Sequence, residues 1–137
     1  MTPIGQPPPA GLRIVVADDD AAILHALRML LEEAGYTVVG TATDGPETLA
    51  LVEELTPDLL LVDLRMPGLT GLQVAAQLRE RMPGLQVIVL SAYDDAGLQL
   101  AAERIPVAGY LVKGCSSRLI FQAIDDALAR PGWADQP

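Results

Sequence analysis

The stretch PDLLLVDLRMPG, Pro57 to Gly68, decides the fold. Its aliphatic run Leu59 to Val62 leaves no polar position for a solvent-facing side. A strand there must be buried on both faces, as parallel strands covered by helices are. Asp63 follows the run directly, and Met66-Pro67-Gly68 breaks it with turn residues.

Similar short runs recur on both sides of it: IVVA at Ile14 to Ala17, VVGTA at Val38 to Ala42, VIVL at Val87 to Leu90 and YLV at Tyr110 to Val112. Segments of helical period separate them. The first places Ile23, Leu27, Leu30, Leu31 and Ala34 on one face, with Asp20 as the cap and Gly35 as the stop. His25 falls roughly opposite that stripe and reads as a surface residue. The second begins at Asp44-Gly45-Pro46, with Pro46 expected at the first helical position, and ends before Pro57. The third runs from about Gly71 to Met82, and the fourth, interrupted by Gly97, from Asp95 to Arg104. The fifth, Ser117 to Arg130, is expected to bury Leu119, Ile120, Ala123, Ile124 and Ala127. Strict alternation predicts an α/β fold: a doubly wound, five-stranded parallel sheet of order 2-1-3-4-5, with its ligand site outside the carboxyl ends of the strands near the first and third.

The 137 residues suit one domain, half of them are apolar, and the net charge is -9. The nine bases are scattered, which argues against a nucleic-acid surface, and eight of them are Arg, so Lys113 is the only lysine. The single Cys115 forms no internal disulfide, and MTPIGQPPPAG lacks the basic and apolar regions of a secretion signal. The expectation is a cytoplasmic protein with no membrane insertion.

The residues that end the strand runs are Asp18, Asp19 and Asp20 after the first, Asp63 after the third, Ser91 after the fourth and Lys113 after the fifth. Neighbouring strands lie about 4.8 Å apart, so these groups converge. One helix cap needs one aspartate. If Asp20 caps, Asp18 and Asp19 remain as acids whose repulsion a Mg²⁺ ion would offset. Carboxylates around a metal, beside an ammonium and a hydroxyl, suit phosphoryl transfer, with Asp63 as the best nucleophile. No GxxxxGK[ST] loop indicates a nucleoside triphosphate.

VVADDD, PDLLLVDLRMPGLTGL, VIVLSAY and GYLVKG, spread over Leu12 to Arg130, resemble the four signatures of the response-regulator receiver domain of two-component signalling. The resemblance implies a flavodoxin-like receiver fold over 12–130, with a Pro-rich arm at 1–11 and a tail or start of a linker at 131–137. It implies that Asp63 accepts a phosphoryl group from a sensor histidine kinase and later loses it by self-catalysed hydrolysis. By the same resemblance Asp19, Asp63 and the backbone carbonyl of Arg65 bind Mg²⁺, with Asp18 assisting through water. Ser91 and Lys113 contact the phosphoryl group, and Ser91 and Tyr110 are the switch residues. The KG ending and the RMPG loop lean towards receivers of LuxR-type transcription factors, which implies a DNA-binding output domain in a longer parent protein. The implied readout face, and possible homodimer interface, comprises the fourth helix, the fifth strand and the fifth helix. Phe121 and Leu128 are expected there either as an apolar patch for a partner or packed against the fourth helix. Receivers often have Pro after the lysine with a cis bond. Gly114 stands there instead, and a trans bond is expected because a cis bond to a non-proline costs ~3 kcal/mol. Arg65 and Tyr93 fall at positions that the family varies, where the phosphoryl lifetime is expected to be set.

Two alternatives stand beside this reading. One is an aspartyl-phosphate phosphatase or phosphotransferase, which in haloacid-dehalogenase-like enzymes needs a second Asp two residues after the nucleophile, where this chain has Arg65. The other is a structural or dimerisation module that works without phosphorylation.

Overall fold

The computed structural model describes residues 11–92 and 107–129. The helix expected over Asp95 to Arg104, Tyr93, the N-terminal arm and the tail lie outside the described residues. Within them the order is β1 (Arg13–Ala17), α1 (Ala21–Glu33), β2 (Thr37–Ala42), α2 (Gly45–Leu55), β3 (Leu59–Asp63), α3 (Gly71–Arg81), β4 (Gln86–Ser91), β5 (Gly109–Val112) and α4 (Ser117–Leu128). The sheet is parallel throughout, in the order β2-β1-β3-β4-β5.

The unbroken run of β3 is explained by what covers its two sides. Leu60 and Val62 join Val52 of α2 and Leu72, Val74, Ala75 and Leu78 of α3 in one core cluster. Leu59 and Leu61 join Leu24 and Leu31 of α1 and Ile120 and Ile124 of α4 in the other. Side chains alternate across a strand, so a strand with helices on both faces needs apolar residues at every position. The edge strands relax that demand. β5 is only partly buried along its whole length, and so is much of β2, although the apolar runs predicted burial on both faces.

Several helix details differ from expectation for identifiable reasons. The innermost residues of α1 are Leu24 and Leu31, with Ile23, Leu27 and Leu30 only partly buried, so the stripe is turned by about one residue. Asp20 caps α1 as expected, accepting from the Ala22 and Ile23 amides at 2.9 and 3.2 Å. Pro46 is the second residue of α2, because Gly45 already belongs to the helix. In α4 Leu119 is 51% exposed. Phe121 and Leu128 instead pack against the second cluster, and Phe121 stacks on Tyr36 with ring centroids 6.0 Å apart. Both side chains are thus partly buried against the core, while the fourth expected helix, the other neighbour considered for them, lies outside the described residues. No helix among the described residues is long and apolar enough to cross a membrane.

The carboxyl end of α2 illustrates a local cost. Thr56 ends the helix at φ 46°, ψ 60°, a left-handed conformation that a β-branched residue adopts poorly. Its side chain is exposed, so glycine there removes strain without removing packing. Thr56→Gly is expected to raise stability by about 1 kcal/mol in urea unfolding, after the entropy that glycine adds to the unfolded chain is deducted.

Candidate functional site

Each strand leading to the site is tied to its neighbour one residue past the last core position. The Asp18 amide donates to the Ala42 carbonyl at 3.0 Å, the Leu64 amide to Leu90 at 2.7 Å and the Lys113 amide to Ser91 at 2.7 Å. The ladder therefore delivers Asp18, Asp63, Ser91 and Lys113 to one edge of the sheet, where the spacing of the strand runs had placed them. Ser91 and Asp63 are the last residues of their strands.

Asp18 is 0% exposed and Asp63 3%. The Lys113 ammonium bridges them, with Nζ 2.9 Å from Asp63 Oδ2 and 3.0 Å from Asp18 Oδ2. The other oxygens are held by backbone: Asp18 Oδ1 accepts from the Asp20 amide at 2.8 Å, and Asp63 Oδ1 from the Arg65 amide at 3.3 Å. Asp19 is exposed, and one oxygen from each of Asp18, Asp19 and Asp63 lies within 4.8 Å of the others. Three carboxylates thus cluster about one ammonium that pairs with two of them. The donor set is all oxygen, two members of it are buried, and the local charge is uncompensated, which fits a hard divalent cation such as Mg²⁺.

Electrostatics follow from this geometry. Burial pushes the Asp63 carboxyl up to about 6, and the Asp18 charge adds to the rise, against the pull of Lys113 and the Arg65 amide. For Lys113, burial acts downward, but the hydrogen bonds and charges of Asp63 and Asp18 outweigh it and hold the ammonium above its ordinary value. The Ser91 hydroxyl is fully buried and has no hydrogen-bond partner among the described residues. A buried hydroxyl without a partner is costly, and one at this edge is suited to receive a ligand oxygen. Tyr110 is partly buried and packs against the first core cluster. Gly114 has φ +87°, a conformation closed to proline, and the Lys113–Gly114 bond is trans.

A consequence for stability can be measured. Asp63 has its pKa raised from 3.8 to about 6, so between those values the folded state holds the proton more tightly than the unfolded one. Its contribution is therefore favourable at low pH and is lost as pH rises towards 6. Asp63→Asn, which cannot ionise, is expected to exceed wild type by about 2 to 3 kcal/mol above pH ~7 in metal-free buffer. The gap should close as pH falls to about 4; chemical denaturation across that range checks it.

The expected site residues Asp18, Asp19, Asp63 and Lys113 meet, and Ser91 and Arg65 adjoin them in the chain and the sheet. One relation was not legible in the sequence: Lys113 rests on the proposed acceptor itself. Nor did the sequence show what presses on the loop at 64–70. Gly45, Gly68 and Gly71 were visible in it as residues, but which backbone each approaches is a tertiary matter.

A family model described as the response regulator receiver domain matches residues 14–125. Among relatives, the chain is 32% identical over 117 residues to the transcriptional regulatory protein YdfI of Bacillus subtilis, covering 85% of this chain and 54% of the relative. It is 38% identical over 122 residues to the positive alginate biosynthesis regulatory protein of Pseudomonas aeruginosa, covering 88% and 48%. It thus spans about half the length of these relatives. Among solved structures, the signal receiver domain of the response regulator NarL from Mycobacterium tuberculosis aligns with a TM-score of 0.82 at 35% identity, covering 89% of this chain and all of that one. A two-component response regulator of the LuxR family from Aurantimonas sp. SI85-9A1 aligns with a TM-score of 0.79 at 29% identity, covering 88% and 86%.

Proposed function

We propose, from the premise that this chain belongs to the response regulator receiver domain family, that it takes a phosphoryl group onto Asp63 from a sensor histidine kinase and so switches an output. The observation that carries the reading is the buried Asp63 carboxylate, gripped by Lys113 at 2.9 Å and flanked by Asp18 and Asp19 within metal-sharing distance. An Asp63 oxygen attacks the phosphorus, an O–P bond forms, and the bond from phosphorus to the donor histidine nitrogen breaks.

Asp19, Asp63 and the Arg65 carbonyl would hold Mg²⁺, with Asp18 assisting through water; the ion supplies positive charge to the transferring oxygens. Lys113, already at the acceptor, has to exchange one carboxylate contact for a phosphoryl oxygen. Its charge stays in place while its partner changes, which is electrostatic preorganisation. Ser91 supplies a buried hydroxyl to another oxygen. Movement of Ser91 towards that oxygen, with Tyr110 changing rotamer behind it, is the proposed switch.

We place the protein in the cytoplasm. A DNA-binding output domain in a longer parent fits a chain that spans about half of relatives named as transcriptional regulatory proteins. Homodimerisation would then be the change that phosphorylation controls. A dehalogenase-like phosphatase is disfavoured by Arg65, which is exposed and cannot serve as the second carboxylic acid.

Acetyl phosphate with Mg²⁺ is expected to add one labile phosphoryl group to wild type and none to Asp63→Asn, read by intact-protein mass spectrometry. An adduct that persists in Asp63→Asn, or no adduct on wild type, overturns the assignment. Steady turnover of an external phosphomonoester would favour the phosphatase instead.

A further inference from the structure

The loop at 64–70 leads out of Asp63 and is pressed against the first turn of α2 more closely than any side chain would allow. A Cβ on Gly45 would stand 2.4 Å from Leu69 Cβ and 2.8 Å from its backbone N and Cα. The Gly45 amide donates to the Pro67 carbonyl at 3.0 Å. From the loop side, Gly68 has φ +85°, and a Cβ there would stand 2.7 Å from Pro46 Cδ. Two glycines on opposite sides of one seam thus let two backbones touch.

The turn of α2 that makes this contact is stiff. Asp44 accepts from the Glu47 amide at 2.7 Å, the Thr48 hydroxyl donates to the Asp44 carbonyl at 2.7 Å, and Glu47 accepts from the Thr43 amide at 2.7 Å. The loop is closed at its other end as well, where the Gly71 amide donates to the Leu64 carbonyl at 2.8 Å. Arg65 lies inside this closed loop, and its amide is bonded to Asp63 Oδ1. Displacing the loop therefore moves the Arg65 backbone and the Asp63 carboxylate together.

We infer that Gly45 and Gly68 are positioning residues: the seam between the first turn of α2 and the 64–70 loop holds the Asp63 carboxylate and the Arg65 backbone in the geometry that a bound Mg²⁺ requires. Neither glycine touches the ion, so both act through the loop. The inference rests on the function proposed above, in which Asp63 and the Arg65 carbonyl are ligands. Supporting groups of this kind change metal affinity by ~10- to 100-fold when lost.

The test is isothermal titration of Mg²⁺ into the full chain for wild type, Gly45→Ala, Gly68→Ala and Ile124→Val. Ile124 is buried in the cluster on the other face of the sheet and controls for general destabilisation. Each glycine variant is expected to raise the Kd for Mg²⁺ about tenfold, and Ile124→Val to leave it unchanged. Acceptance from acetyl phosphate should be slow in the glycine variants at low Mg²⁺ and recover at saturating Mg²⁺. Glycine variants that bind Mg²⁺ as wild type does, a rate that stays low at saturation, or an equal loss in Ile124→Val each overturn the inference. If Gly45→Ala does not fold, Gly68→Ala, at an exposed position, decides alone. Wild type that binds no Mg²⁺ removes the proposed function and this inference with it. Failure of the variants alone removes only the inference.

Discussion

Lys113→Ala is expected to lower the stability of the metal-free protein by about 3 kcal/mol at pH ~8, the lower end of what removing one partner from a buried ion pair costs. The lower end applies because the lysine side chain keeps 23% of its exposure, whereas Asp18 and Asp63 are at 0% and 4%. Without the ammonium, two carboxylates share the edge of the sheet with only the backbone amides of Asp20 and Arg65 to compensate them. The chain escapes part of the cost by protonating Asp63, whose carboxyl is already pushed up to about 6. The loss should therefore shrink as pH falls through 6, the direction opposite to ordinary acid destabilisation. Combining it with Asp63→Asn gives the sharper measurement. In that background one carboxylate remains, and Lys113→Ala should cost at most about half as much, a coupling that a double-mutant cycle reads directly. Equal losses in the two backgrounds would show that Lys113 does not bridge the pair. Added Mg²⁺ should rescue the single variant, since it supplies the missing positive charge.

Gly71→Ala is expected to cost about 3 kcal/mol or more, at the upper end of overpacking effects. A Cβ there would lie 2.5 Å from the Asp63 carbonyl oxygen and 3.1 Å from both the Asp63 carbonyl carbon and Leu64 Cα. All three are backbone atoms of the central strand and its exit, so no rotamer change relieves the contact. Alanine gains about 1 kcal/mol in helix propensity over glycine, which the clash exceeds. Thr70 and Gln73 close a capping box at this helix start, fixing α3 in place so that it cannot back away. Thermal unfolding measures the loss. A variant as stable as wild type would mean that α3 can retreat from β3, and that the junction is softer than its contacts imply.

Much of the architecture was legible because it depends on short-range pattern. The apolar runs gave all five strands to within a residue or so at each end, and their parallel order followed from alternation with helices. The Asp20 cap needed only a polar residue at the right offset. Leu119 was misread because, on one helix, periodicity ranks faces but does not say how far a neighbour extends. Leu119 lies near the start of α4, where it stays exposed, while Phe121 finds Tyr36 at the turn after α1. That partner lies 85 residues away in the chain, and no local spacing reveals it.

By itself, the sequence determined that acids, a hydroxyl and a lone lysine would stand at the carboxyl ends of parallel strands, since strand direction and length follow from local composition. Only the tertiary structure decided that Lys113 bridges Asp18 and Asp63 and that glycine backbones clamp the loop beyond Asp63. Charge pairing and close backbone approach are set by distances of 2.9 to 3.0 Å between residues tens of positions apart. Such distances exist only after the sheet has brought its strand ends together.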